Sequence, residues 1–160
     1  MIDSNLFRNI LSQFASGVTV VTTRNGDTLH GLTVSSFCSV SLEPPLILVC
    51  IDKKASSHDV LQASKRFAVN VLTAAQQDLS NRFADPRRSP KERFQGLAVR
   101  TAVTQSPILP DVLAYLDCEV YAEYDGGDHT IFVGKVVAGD VGEGMPLLYW
   151  NRGYREMKLD

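Results

Sequence analysis

Apolar residues along this chain recur with a period near two more often than near 3.6, so strands outnumber helices in the expected fold. The exception comes first. Leu6, Phe7, Ile10, Leu11 and Phe14 lie on one face of a helix that Asp3 or Ser4 caps and Gly17 ends. Val18–Thr23 is a β-branched strand, and Asn25-Gly26 is a hairpin turn into a strand over Leu29–Leu42. Within it Leu32, Val34, Cys38, Val40 and Leu42 alternate with Thr33, Ser35, Ser39 and Ser41, with a break around Ser36-Phe37. After Pro44-Pro45 the unbroken apolar run Leu46–Ile51 reads as a buried strand. Ser56 or Ser57 then caps a short helix carrying Val60 and Leu61, and Phe67–Leu72 is another strand.

Two capping boxes follow, Thr73-x-x-Gln76 and Ser89-Pro90-x-Glu92. Leu116–Tyr124 and Thr130–Val141 are long strands joined by Asp125-Gly126-Gly127-Asp128, and Leu147–Trp150 closes the set. Most strands are joined by short turns, without the strand–helix alternation or the GxGxxG of a doubly wound sheet. The pattern predicts a mostly β fold, a small antiparallel barrel with peripheral α-helices, forming one domain over residues 1–160.

Composition narrows the function. The 160 residues carry a net charge of −2, with 21% charged residues and no basic field for a phosphate backbone, which argues against nucleic acid. No apolar run approaches the roughly 18 residues of a membrane span, and MIDSNLFRNI lacks the pattern of a signal peptide. Cys38, Cys50 and Cys118 form an odd set without CxxC spacing, as expected of free thiols in a reducing cytoplasm. His30, His58 and His129 share no ligand spacing, so no metal site is expected.

Two segments invite a ligand. The Ser/Thr face around Thr33, Ser35 and Ser36 is small enough for a flat molecule to reach the backbone. Asp52-Lys53-Lys54-Ala55-Ser56-Ser57, after a buried strand and before a helix, offers N–H groups, hydroxyls and a cation to a phosphate.

Five stretches in one order carry a resemblance: FASGVTVVTT at Phe14–Thr23, HGLTVSSFCSVSLEPPLILVCI from His30, RFAVNVL at Arg66–Leu72, GDHTIFVGKV from Gly127, and PLLYWNRGY at Pro146–Tyr154. From about Leu6 to Tyr154 the chain resembles the short-chain flavin reductase family, which includes reductase components of two-component flavin-dependent monooxygenases. The resemblance implies a split β-barrel in a homodimer with flavin near the interface. It also implies an NAD(P)H:flavin oxidoreductase that binds FMN or FAD non-covalently and supplies a partner monooxygenase.

By the same resemblance Thr33, Val34, Ser35 and Ser36, with Cys50, Ile51 and Asp52, line the isoalloxazine ring and ribityl chain. Lys54, Ser56 and Ser57 take the phosphate. Arg82 and Phe83 match a second flavin segment, with Arg82 toward phosphate or pyrophosphate. His129, in the family's GDH motif, is the catalytic candidate as a hydrogen-bonding or positioning group, and it shares the nicotinamide side with Tyr154. Hydride transfer is chemistry of the two organic rings, so the lack of a nucleophile or acid–base cluster is consistent with it. FMN against FAD and NADH against NADPH stay open, although Arg87 and Arg88 suit a 2′-phosphate. The rivals are a same-fold reductase that keeps its flavin for another acceptor, and a non-enzymatic flavin-binding protein.

Overall fold

Asp3 caps the first helix, α1 (Ser4–Leu11), by accepting from the N–H groups of Asn5 and Leu6 at 3.0 and 3.1 Å. The structure is a computed structural model and describes residues 1–159. The helix stops at Ser12, five residues before the expected Gly17. The Ser12 hydroxyl donates to the Asn9 carbonyl at 2.7 Å, and the Ser12 carbonyl accepts from Asn151 at 2.8 Å. These bonds compete with the helical ladder. Phe14 therefore lies outside the helix, and Ser16–Gly17 forms a short strand, β1.

β2 (Thr19–Asn25) and β3 (Thr28–Val34) form the expected hairpin, with Gly26 at φ +56°. β4 (Phe37–Ser41), β5 (Leu46–Asp52), β6 (Arg66–Val71), β7 (Ala114–Gly126) and β8 (His129–Val141) complete a seven-stranded sheet. Its order is β3-β2-β6-β7-β8-β5-β4, and every pairing is antiparallel.

The strand expected over Leu29–Leu42 is thus two strands at opposite ends of the sheet. β3 belongs to β2 through its hairpin, and β4 belongs to β5 through the turn at Pro44-Pro45. The exposed Ser35 and Ser36 bury no side chain that would hold the segment straight. With only these two residues between β3 and β4, the chain brings the ends of the sheet together. At the join Cys50 donates its N–H to the Ser36 carbonyl at 3.2 Å, and the Ser36 hydroxyl donates to the Cys50 carbonyl at 3.0 Å.

A small sheet of order β1-β9-β10 flanks this join, from β9 (Leu148–Trp150) and β10 (Gly153–Arg155). β10 was not expected; its hairpin turns through Asn151 and Arg152, both left-handed at φ +48° and +62°. Both capping boxes form. The first opens a 3₁₀ turn (Ala74–Gln76), and three further helices are α2 (His58–Ser64), α3 (Gln77–Ala84) and α4 (Pro90–Phe94).

β2 explains how the interior is divided. Val20 joins Ala68, Leu72, Phe83 and Ile108 on one face, while Val21 joins Val49, Ile51, Phe67 and Phe132 on the other. A strand buried on both sides suits a run of β-branched residues, each contributing about 1.5–3 kcal/mol on burial. Asn70, fully buried beside β2, donates to the Val20 carbonyl at 3.0 Å and accepts from the Leu109 N–H at 2.9 Å. Among the described residues no helix is long and apolar enough to cross a membrane.

A trough beside the join of the sheet

Three cavities adjoin along the tip of β3. One of about 460 Å³ lies between Leu32, Thr33, Asp52, Lys54, Ser56, Phe83 and Arg93. It meets a smaller one of about 180 Å³ at Thr33 and Ala84, which includes Ser35, Ser80, Tyr149 and Tyr154. That one meets a third, of about 580 Å³, at Ser35 and Tyr149. The third extends over Ser36, Phe37 and Cys38 to α1 and the β9–β10 turn. The join between β3 and β4 therefore runs along one continuous trough.

The first end is cationic. Asp52 accepts the Lys54 N–H at 2.8 Å, which shapes the loop, and the Lys54 ammonium makes no hydrogen bond or ion pair among the described residues. Arg93 is only 7% exposed. It donates to the carbonyls of Gly31 at 2.8 Å and Asp85 at 2.9 Å, and its Nε–H has no partner. The Asp85 carboxylate is engaged elsewhere: Arg87 bonds it at 2.9 Å through both Nε and Nη2 and holds its pKa down to about 2. Burial pushes the Arg93 pKa down, and burial followed by the Arg93 charge pushes the neighbouring His30 down. A buried guanidinium held only by carbonyls is costly unless a counter-charge is added. With Lys54 and Ser56 on the same cavity, the donor set fits a phosphate.

The middle is neutral. The Thr33 hydroxyl donates to the Ser80 carbonyl at 2.6 Å, and the Ser80 hydroxyl lies 2.8 Å from the Tyr154 hydroxyl. Tyr154 in turn donates to Asn81 at 3.0 Å and packs edge-on against Tyr149 at 5.4 Å. No charged side chain lines this part. Short hydroxylated residues and two aromatic rings suit a flat heterocycle with a polar edge.

The hairpin carrying His129 is tied to the Lys54 loop. Asp52 faces His129 across β5 and β8, and the Lys53 N–H donates to the Asp128 carbonyl at 3.0 Å. Lys53 Nζ reaches the Asp125 carboxylate at 2.5 Å and the Gly127 carbonyl at 2.6 Å. The hydrogen bond from Lys53 holds the Asp125 carboxyl below its usual range. His129 Nδ1 lies 2.7 Å from Asp128, whose carboxyl is lowered by that bond. Behind the turn the buried His58 bonds Thr130 through Nε2 at 2.8 Å.

The trough thus brings together Thr33, Ser35, Ser36, Asp52, Lys54, Ser56, Phe83 and Tyr154 from the residues expected at a site. Val34 and Ile51 point into the core, so only their main chain faces outward. Cys50 lies half-buried at the join, with its main chain bonded to Ser36. Ser57 is 1% exposed, with a hydroxyl that has no partner. Arg82 lines none of the three cavities and donates to the Gln95 carbonyl at 3.1 Å. Tyr154 lines the middle cavity, while His129 lines none of the three and pairs with Asp52 across β5 and β8. Arg93, which sequence reasoning missed, stands on the trough instead. As the residue after a capping box it reads like any last-turn arginine; its burial comes from packing of α4 on β3.

Residues 11–158 match the flavin reductase-like domain family. The chain is 44% identical over 135 residues to the reductase subunit HsaB of a flavin-dependent monooxygenase from Mycobacterium tuberculosis, covering 84% of this chain and 71% of that one. Among solved structures it is similar to the flavin reductase PheA2, at a TM-score of 0.91 and 38% identity over 99% of this chain and 100% of that one. It is also similar to the NADH:FAD oxidoreductase SgcE6 of Streptomyces globisporus, solved with NAD and FAD fragments. There the TM-score is 0.91 and the identity 33%, over 100% of this chain and 98% of that one.

Proposed function

The chain belongs to the flavin reductase-like family, and from that premise we propose that it is an NAD(P)H:flavin oxidoreductase. The observation that carries the reading is the trough, with a phosphate-ready cation pair at one end and a neutral, small-residue floor next to it. Lys54, Ser56 and Arg93 would hold the flavin phosphate, and Thr33, Ser35 and Ser36 would meet the ring system. When bound, the flavin accepts a hydride from a reduced nicotinamide and a proton from water. The chain's own task is to align the two rings and exclude solvent. No side chain has to form a covalent bond, and none of the trough's residues is poised to do so. His129 and Tyr154 act as positioning groups on the nicotinamide side.

The sheet whose ends meet at Ser35-Ser36 is read as the split β-barrel of the family, one domain in extent. NADH and FAD, the pair in the name of the Streptomyces globisporus protein, are the first donor and acceptor to test, beside NADPH and FMN. The reduced flavin passes to a monooxygenase, as the name of the Mycobacterium tuberculosis protein suggests by analogy. The free cysteines support a cytoplasmic location. Steady-state oxidation of NADH and NADPH with FMN, FAD and riboflavin tests the core of this. Turnover should appear only with flavin present. Binding of flavin without oxidation of either donor would leave a flavin-binding protein in its place.

A further inference from the structure

Among the described residues three buried side-chain polar atoms lack a hydrogen-bond partner: Arg93 Nε, His30 Nδ1 and the Ser57 hydroxyl. Buried polar atoms ordinarily find partners, and these three gather at the cationic end of the trough. Ser57 follows Ser56, which lines the cavity there. Arg93 lines the same cavity and donates to the carbonyl of Gly31, the residue after His30. His30 is half-buried on β3, an end strand of the sheet, and the Arg93 charge acts on its ring. Burial, followed by that charge, holds the imidazole below its ordinary pKa, so the ring is neutral at pH 7 and above. A neutral ring with its proton on Nε2 presents a lone pair at Nδ1. An unused donor on Arg93 thus stands near an unused acceptor on His30.

Resting on the reductase reading, the flavin phosphate takes the Lys54–Arg93 end. We propose that His30 is a positioning residue for Arg93: its Nδ1 accepts the Arg93 Nε–H when a phosphorylated flavin is bound, and so orients the guanidinium toward the phosphate. A guanidinium has five N–H donors in one rigid plane. Two of them bond the Gly31 and Asp85 carbonyls. With Nε–H held by His30, two Nη hydrogens are left for phosphate oxygens, and the plane that carries them is fixed. Carbonyls alone hold the two Nη groups and leave the Nε side without a partner; the imidazole supplies the missing point of support. His30 does not touch the flavin. It acts on phosphate recognition alone, through Arg93, and a flavin without a phosphate has no use for it.

The test is fluorescence titration of the full-length protein with FMN and with riboflavin, which shares the ring system and lacks the phosphate. His30→Leu keeps the bulk of the side chain and removes the acceptor. It should weaken FMN about tenfold, the effect of one lost hydrogen bond to a charged group, while riboflavin affinity stays within about twofold. His30→Asn places a neutral acceptor, Oδ1, where Nδ1 stands, and should bring FMN back to within about threefold of the unaltered protein. In an Arg93→Gln background His30→Leu should cause no further loss, because the residue it acts through is gone. Riboflavin binding reports that each variant is folded. Unchanged FMN affinity in His30→Leu overturns the assignment. So does an equal loss for both flavins, a failure of His30→Asn to restore FMN, or an undiminished His30→Leu effect without Arg93. If the unaltered protein binds FMN no more tightly than riboflavin, the phosphate reading of the Lys54–Arg93 end falls first; a preference for FMN that survives His30→Leu removes His30 alone.

Discussion

Lys54 and Arg93 reach the trough by different physical routes. Lys54 sits in a loop after a buried apolar strand, and its exposure follows from local sequence; Arg93 is buried because α4 packs across β3. That is why Lys54 and Ser56 were legible as phosphate candidates while Arg93 was passed over in favour of Arg82. Both cations lack a carboxylate partner, so each should contribute to binding of a phosphorylated flavin and little to that of riboflavin. Lys54→Ala is expected to weaken FMN about ten- to a hundredfold, corresponding to about 1.5–3 kcal/mol. Riboflavin affinity should stay within twofold, as read by flavin fluorescence titration. An equal loss for both flavins would assign the residue to the fold.

At the scale of elements, the period-two alternation located the strands well, and it registered a break near Ser36-Phe37. It misplaced the end of α1, because one of the two bonds that stop the helix comes from Asn151, far along the sequence. It also missed β10, whose turn rests on left-handed Asn151 and Arg152 rather than on a glycine. β7 and β8 show how tightly an element can constrain a titratable group. A Cβ at Gly134 of β8 would stand 2.6 Å from the Phe67 ring and 3.0 Å from Cys118 of β7, so no room is left there for bulk or water. Burial, and then the charge of Asp117, pushes the Cys118 thiol up from 9.0 to about 12. A raised pKa favours the protonated form in the folded state. The associated stability is therefore complete below pH 9 and is lost as the pH rises toward 12. Urea unfolding midpoints should fall across that window, and Cys118→Ala should show a shallower fall from a lower starting point. Parallel curves for the two proteins would remove Cys118 from the account.

For the whole molecule, periodicity conveys which face of a strand is buried but not which strand is its neighbour. The pairing of β5 with β8, and the placement of β3 and β4 at opposite ends of the sheet, were therefore beyond it. One whole-molecule expectation does follow from the surface. Leu6, Phe7, Ile10, Leu11 and Phe14 on and beside α1 are each about half exposed or more, and α1 buries no residue in its own chain. A contiguous apolar face of this kind calls for a second copy. Light scattering at micromolar concentration should give about twice the 17.6 kDa chain mass. A monomer that still turns over flavin would show that one chain completes the site.

The two-residue link at Ser35-Ser36 acts as a length gauge for the same trough. A strand end on one side and a strand start on the other are held at a separation set by two peptide units, and each added residue would lengthen the tether by about 3.3–3.6 Å. Neither serine contributes core packing, so the link is cheap to alter for stability and expensive to alter for fit. One glycine inserted between them should leave the unfolding midpoint nearly unchanged while flavin affinity drops by tenfold or more. If affinity survives the insertion, the spacing of the floor is set by the packing of β3 and β5 and not by the tether. On this view the reach of the whole trough is set at a pair of small, exposed, outwardly unremarkable serines.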